Sequence, residues 1–461
     1  MPAPSLPLGL VLKYGSGQLG AQIFRDAPAA LLPLFMTTML GVPAWMTGFA
    51  ILGPKLWLLI CDPLMGSLSD RWGGRWGRTS FLAVGGISAS LGFTALFVFT
   101  RYPSPFLAVA TIAVIFLVAS TAFSAFSVPY LALASELSAD SNERTKILTY
   151  RMLFTIVGVV LSVGVAQPLI FHFGGSAAGW HVMAGTYGLI CLATMLTAAA
   201  GMRHVPRVGG TRSVNMTAAR QMAAILENRQ FLVVTAGMFL MQIAQAIAYS
   251  VIGFVYIYAA EDVDLIPAFI ITMCAGAAIS QPLWLALARR FGKYRCYQVA
   301  TALFVVVTLT WLYLRPGGPS VSWVPFMKPL PLEHALVLVR AVLLGVANGA
   351  IAVMPVAMLT DSITEHRASH RGATEGLFSG VYSAVEKLSF AVGPLIAGVV
   401  LSLYGFVSST GGVVPQSASA VRGILLLYSV IPATLQLLSL WVLSGYDKVA
   451  TQTVTEALGH N

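Results

Sequence analysis

The sequence predicts an all-α membrane protein, with twelve transmembrane helices in two pseudosymmetric six-helix bundles. Three observations carry that expectation. Of the 461 residues, 57% are hydrophobic and only 10% are charged, whereas soluble domains carry roughly a quarter charged residues. Runs long enough to cross a bilayer follow one another along the chain, about 20 apolar residues being needed for a core about 30 Å thick. Two stretches of the first half also recur in the second.

The apolar runs lie near residues 15–41, 46–68, 79–100, 105–134, 147–172 and 181–202. After a polar stretch they resume near 230–258, 264–288, 296–314, 334–359, 373–404 and 421–445. The expected organisation is therefore an N-terminal bundle at 1–202, a cytoplasmic linker at 203–229, and a C-terminal bundle with a short tail at 230–461. Gly and Pro inside the runs are no objection, because neighbouring helices satisfy the backbone groups they free. The repeat is clearest where Asp62-Pro63-Leu64 through Leu68, Arg71 and Gly73 matches Gln281-Pro282-Leu283 through Leu287, Arg290 and Gly292, at a constant offset of 219. Pro129 and Leu133, followed by an acidic loop to Arg144, match Pro355 and Leu359 followed by an acidic loop to Arg371, at an offset of 226 for the prolines.

The formal net charge of +10 lies between the runs, not in a basic arm, so nucleic acid is not an expected partner. Seventeen Lys and Arg fall in alternate connections, against Arg101, Arg315 and Lys328 on the other side. Cytoplasmic loops collect such residues, which places both termini in the cytoplasm. Met1 to Leu12 lacks the basic start and cleavage site of a signal peptide, so the first helix is expected to stay attached. Cys61, Cys191, Cys274 and Cys296 stand singly and read as free thiols. The seven histidines fall in loops, tails or span ends and form no metal cluster. Nucleotide-binding and GxSxG motifs are absent, so neither ATP-driven transport nor hydrolysis is indicated, and no cofactor or metal is expected.

Charge inside a span costs about 2.5–3.5 kcal/mol at the bilayer centre and normally faces a polar interior. The first span carries Gln22, Arg25 and Asp26, spaced so as to share one helical face. The second carries Lys55 and Asp62, two turns apart on one stripe. The eleventh carries Glu386 and Lys387, which point about 100° apart, so that one of them, Lys387 by preference, faces the interior. Arg340 lies nearer the outer end of the tenth. These groups either pin helices together as ion pairs or line a water-filled solute cavity. Charge contributed by three separate helices favours the cavity.

Several loop motifs carry a family resemblance. Gly53-Pro54-Lys55-Leu56-Trp57, Asp62-Pro63-Leu64-Met65-Gly66, Ser69-Asp70-Arg71 and Arg75-Trp76-Gly77-Arg78 resemble the second helix and following loop of the glycoside-pentoside-hexuronide:cation symporters of the major facilitator superfamily, which include the melibiose permeases. The similarity continues through Tyr14-Gly15-Ser16-Gly17, Pro129-Tyr130, Glu143-Arg144, Arg151, Pro355, Asp361, Arg371, Glu375-Gly376-Leu377-Phe378 and Lys387. It implies the major facilitator fold, a solute site near the midplane, alternating access, and ion pairs among Asp70, Arg71, Arg75, Arg78, Arg144, Asp361 and Arg371 closing the inner side.

Departures from the pattern narrow the expectation. Leu58 stands where the sodium-coupled members have the first of two carboxylates, with Asp62 at the second. A proton, rather than sodium, is then the expected coupling cation, held through Asp62, Lys55 and Glu386, although uncoupled transport stays open. Gln22 and Ser127 stand where sugar-transporting relatives have acidic residues, which argues against a galactoside. The expected solute site comprises Gln22, Arg25, Asp26, Ser127, Tyr130, Arg151 and Lys387. Its cationic members, together with Lys55, suit a hexuronide, another organic anion, or an amphiphile such as a lysolipid. The expected partners are thus a small-molecule substrate, a coupling cation and the lipid bilayer, and the expected state is a monomer. A membrane enzyme lacks a catalytic cluster, and a non-transporting sensor on the same fold is the remaining alternative.

Overall fold

The structure, a computed structural model, describes residues 6–76, 78–137, 141–203, 228–316, 320–321, 330–369 and 375–446. Its helices follow the expected runs: α1 (Leu8–Thr38), α2 (Ala44–Trp76), α3 (Arg78–Val98), α4 (Pro105–Glu136), α5 (Ser141–Val159, continued through a π turn at Val160–Val165 into Ala166–His172) and α6 (Ala177–Gly201). Then come α7 (Arg229–Phe254, with a π turn at Val255–Ala259), α8 (Leu265–Phe291), α9 (Lys293–Leu309), α10 (Leu332–Ser369), α11 (Glu375–Leu403) and α12 (Ala418–Tyr428 with Val430–Leu443). A two-residue hairpin pairs β1 (Ser320–Val321) with β2 (Leu330–Pro331). Among the described residues, eleven helices, α2 to α12, are long and apolar enough to cross a membrane. The remaining helix, α1, is 31 residues long, but polar groups interrupt its middle, and Gln18, Gln22 and Asp26 there are buried in the protein.

Helices overrun the apolar runs where the connections are charged. The second ends at Trp76 and the tenth at Ser369, because the polar residues beyond the hydrocarbon stretch continue the same backbone hydrogen bonding in water. The repeat motif breaks its symmetry here. Gly292 stands between α8 and α9 with φ +86°, a left-handed turn that glycine adopts without steric penalty, while its counterpart Gly73 lies within α2.

By contacts the chain forms two compact units. One comprises Met1–Thr211, Tyr249–Ile270 and Pro394–Gly423; the other comprises Arg212–Ala248, Ile271–Gly393 and Ile424–Asn461. The first unit is built on aromatic packing: Tyr14 stacks on Tyr130 at 4.6 Å, Phe24 on Phe123 at 4.5 Å, and Phe97 on Trp180 at 5.8 Å. Each tyrosine of the first pair donates its hydroxyl to the other's backbone carbonyl, at 3.1 and 2.8 Å. That reciprocal bond joins the Tyr14 and Pro129-Tyr130 motifs. In the second unit Tyr297 plays the comparable organising part, since its hydroxyl lies 2.8 Å from Ser439 Oγ and accepts from Gln436 Nε2 at 3.0 Å.

The last carbonyls of a helix have no partner within it. For α1 they are met by the segment between α11 and α12, in the same unit. Ser409 N–H donates to the Thr37 carbonyl at 2.8 Å and Gly412 N–H to the Thr38 carbonyl at 2.9 Å, while Leu40 and Thr410 form an antiparallel bridge. Gly41 turns the chain there with φ +65°.

The four cysteines are free thiols, as the sequence indicates. In the second unit, Arg340 is structural. It donates from Nη1 to Glu333 Oε1 at 2.6 Å and from Nε to Thr310 Oγ1 at 3.0 Å, and its guanidinium carbon lies 5.3 Å from the Trp311 ring centroid. The Arg340 and Glu333 side chains are only 10% and 14% exposed, so removing one partner strands a poorly hydrated charge. Arg340→Met is expected to destabilise the second unit by on the order of 3 kcal/mol. Thermal unfolding of the detergent-solubilised protein measures this, and the double replacement Arg340→Met with Glu333→Met is expected to recover part of the loss.

Candidate functional site

The site in the first unit is built outward from one face of α1. Gln18, Gln22 and Asp26 follow at intervals of four, so they stack along a single stripe. All three are buried, Asp26 to 0% exposure. Gln18 Nε2 donates to Gln22 Oε1 at 3.3 Å, and Gln22 Nε2 donates to Asp26 Oδ2 at 2.6 Å. Arg25 turns back from its more exposed position so that Nε donates to Asp26 Oδ1 at 3.1 Å. At the other end, Arg151 of α5 donates from Nε to Gln18 Oε1 at 2.8 Å. Its guanidinium carbon lies 5.8 Å from the Tyr130 ring centroid, a cation–π distance.

A buried carboxylate needs charge-assisted donors to offset its lost hydration, and Gln22 and Arg25 provide them. The polar line therefore carries a guanidinium at each end and a carboxylate beside one of them. Its members suit hydrogen bonding to hydroxyls and charge pairing with a carboxylate group on a solute.

A second cluster joins α2 to α4. Ser124 Oγ donates to Asp62 Oδ1 at 2.5 Å. Lys55, only 8% exposed, sits two turns earlier with Nζ 5.5 Å from the Phe116 ring centroid. Trp57 Nε1 donates to Thr121 Oγ1 at 2.9 Å, tying the same two helices. In the second unit the repeat-equivalent Gln281 of α8 donates from Nε2 to the Gly349 carbonyl of α10 at 3.0 Å. Equivalent positions 62 and 281 thus each bond to the corresponding neighbouring helix, through a carboxylate–hydroxyl pair in one half and an amide–carbonyl pair in the other.

Of the residues the sequence singled out for the solute, the structure brings Gln22, Arg25, Asp26 and Arg151 into one hydrogen-bonded line. Tyr130 is 1% exposed, so its ring serves to seat Arg151 and its hydroxyl is taken by Tyr14. Ser127 is half-buried, and the hydroxyl that meets Asp62 belongs to Ser124, one turn earlier. Glu386 and Lys387 are half-buried on α11 in the second unit.

Among the charge-loop residues, Arg71 is exposed at the end of α2. Asp361 accepts from Lys293 Nζ at 2.5 Å, an ion pair internal to the second unit. Asp70, Arg75, Arg78 and Arg144 lie on α2, α3 and α5, with side chains outside the described residues, and Arg371 lies outside them altogether. Sequence reading missed Gln18, Ser124 and Lys293. Gln18 carried a usable signal, one helical turn before Gln22. The other two are chosen by which neighbouring helix approaches.

The comparisons with known proteins agree with this architecture. A family model described as MFS/sugar transport protein matches residues 13–447. The inner membrane symporter YicJ of Escherichia coli strain K12 is 24% identical over 463 residues, covering 96% of this chain and 93% of that protein. The isoprimeverose transporter of Lactiplantibacillus pentosus is 22% identical over 424 residues, covering 91% and 84%. Among solved structures, the crystal structure of a D-xylose-proton symporter superposes with a TM-score of 0.63 at 14% identity, covering 96% of this chain and 98% of that one. That of the nucleoside transporter NupG gives 0.58 at 12%, covering 96% and 100%. These structural likenesses show the fold. With the family match spanning nearly the whole chain, the protein is a multi-pass integral membrane transporter of the MFS/sugar transport family, the glycoside-pentoside-hexuronide:cation symporter group of the major facilitator superfamily.

Proposed function

We propose that the chain is a secondary active symporter that moves a sugar-like, hexuronide or other anionic organic solute across the membrane by alternating access. The protein works as a monomer in a plasma or inner membrane, with both termini cytoplasmic. Its two bundles, 1–202 and 230–461, joined by 203–229, rock about the solute. The coupling cation is a proton, taken up at Asp62 with Lys55 and Glu386 nearby. The charged ends of the helices, Asp70, Arg71, Arg75, Arg78, Arg144, Asp361 and Arg371, bias the inner side between states separated by a few kcal/mol.

The observation that carries this reading is the polar line Arg151–Gln18–Gln22–Asp26–Arg25, buried at Gln18, Gln22 and Asp26, among the helices of a membrane protein. Such a line is costly in hydrocarbon unless a polar solute or water uses it. The names of relatives support a sugar-type substrate: a lactose permease is 26% identical over 210 residues, 42% of this chain, and a putative sulfoquinovose importer is 25% identical over 172, 37% of it.

Uptake into proteoliposomes of labelled glycosides, uronates and other carboxylates, under imposed proton or sodium gradients, tests the proposal. Proton-driven accumulation of an anionic member is expected, and Lys387→Ala is expected to reduce it strongly while leaving the protein folded and extractable. Absence of gradient-sensitive flux for every solute, together with no binding, refutes the reading.

A second reading, transport of an amphiphile with an anionic head group, is favoured by one feature. An apolar groove of about 410 Å³ runs between α2 and α4, lined by Gly53, Pro54, Trp57, Ile60, Ala113 and Leu117. Lysophospholipid flux in the same vesicles, exceeding that of every uronate, would establish it instead.

A further inference from the structure

The hydrogen bonds along α1 have a fixed direction. A carboxylate only accepts and a guanidinium only donates. Asp26 therefore forces Gln22 to turn its N–H₂ toward it, which turns Gln22 Oε1 toward Gln18. Gln18 must then present its own N–H₂ to Gln22 and its Oε1 to Arg151, the one orientation in which Arg151 finds an acceptor. All four groups are at these distances in the structure: 2.6 Å from Gln22 to Asp26, 3.3 Å from Gln18 to Gln22, and 2.8 Å from Arg151 to Gln18. Asp26 and Arg151 have no direct bond to each other here. They are linked by two amides whose direction both ends dictate and which the two ends together hold in place.

We propose that Gln18 and Gln22 are positioning residues, a polarity-locked pair of amides through which the Asp26 carboxylate fixes the orientation of the Arg151 guanidinium. The inference rests on the reading that Arg151 faces the transported solute. Its consequence has an unusual sign. If only charge linked the two sites, neutralising Asp26 would remove a negative charge from the neighbourhood and strengthen the binding of an anion. Through the amide pair, neutralisation has the opposite effect. An asparagine at 26 is a neutral acceptor, so Gln22 loses its charge-assisted partner and is held less firmly. Gln18 keeps its Oε1 toward Arg151, which only donates, but it is now held from one end alone, and the anchor of Arg151 loosens.

The test uses the full chain in detergent, with Asp26→Asn, Gln18→Met, Gln22→Met and the double replacement Gln18→Met with Asp26→Asn. Methionine keeps the length of the glutamine side chain without its polar atoms. Monodispersity and unfolding temperature serve as folding controls, and binding of p-nitrophenyl β-D-glucuronide is compared with that of the neutral glucoside. Each single variant is expected to weaken glucuronide binding more than glucoside binding, by up to about tenfold in the ratio of the two, the order of one charge-assisted hydrogen bond. The double variant is expected to be no worse than Gln18→Met alone. Tighter glucuronide binding in Asp26→Asn, or additive losses in the double variant, overturns the proposal.

A second readout needs no solute: the rate at which phenylglyoxal modifies Arg151, followed by mass spectrometry. It is expected to rise in all three single variants, most in Gln18→Met, which removes the anchor itself, and less in the other two, which loosen the hold on Gln18. Unchanged rates overturn the proposal even where the glucuronide binds. Risen rates without any glucuronide binding uphold the amide lock and count against the solute reading alone.

Discussion

Replacing Asp62 by asparagine is expected to leave a folded, extractable protein that no longer accumulates solute against its gradient. The physical argument starts from the place of the carboxylate. Asp62 lies within a membrane-length helix and accepts the Ser124 hydroxyl at 2.5 Å, and asparagine reproduces its shape without its ability to carry a proton or balance a cation. Coupling between two ligands is a free energy of about 1–3 kcal/mol, or roughly 5- to 150-fold in affinity, and it acts equally in both directions. Asp62→Asn is therefore expected to cut proton-driven uptake by about 100-fold at the upper end of that range, while solute-for-solute exchange, which needs no net cation movement, is retained. Exchange and driven uptake measured in one vesicle preparation separate the two. Driven uptake equal to that of the unaltered chain would place the coupling group elsewhere, with Asp26 and Glu386 next to be replaced.

A disulfide across the segment that caps α1 is expected to arrest transport. Leu40 and Thr410 are partners in an antiparallel bridge. Opposed residues in such a pair have Cα atoms about 4.5–5.5 Å apart, inside the range a disulfide spans. If bundles 1–202 and 230–461 rock as proposed, the capping segment leaves the end of α1 once per cycle and the bonds from Ser409 and Gly412 to the carbonyls of Thr37 and Thr38 break. The double replacement Leu40→Cys with Thr410→Cys is expected to lose net uptake on oxidation and regain it on reduction. Gly398, whose backbone lies against the Ala44 carbonyl of α2, offers the reverse experiment. Gly398→Leu wedges the same end apart, and it is expected to raise labelling of a single cysteine at Leu40 by an impermeant thiol reagent. Full transport with the disulfide formed would show that this end does not open.

How far the candidate site could be read from the sequence differs from residue to residue. The stripe Gln22, Arg25, Asp26 was legible because helical spacing is a local property: residues four apart stack whatever surrounds them. Gln18 obeyed the same rule and could have been added. Arg151 was named from a motif, but its partner was not, since Arg151 and Gln18 are 133 positions apart and no local rule joins them. The exchange of Ser127 for Ser124 has the same origin. Both serines sit in the C-terminal half of α4, and the packing of α2 against it decides which one reaches Asp62. Arg340 illustrates the converse. Its burial in a span marked it as costly, and only the approach of Glu333, Thr310 and Trp311 shows that the cost is met within the fold.

By itself the amino-acid order determined the solvent, the number of crossings and the duplication. These depend on runs, spacings and offsets along one chain, and a bilayer leaves few alternatives to a helix for an apolar run of that length. The tertiary structure alone decided the partnership of each buried polar group, the direction of the amide line on α1, and the cap that holds its end. Those are contacts between distant segments, fixed by the packing of side chains at particular helix crossings.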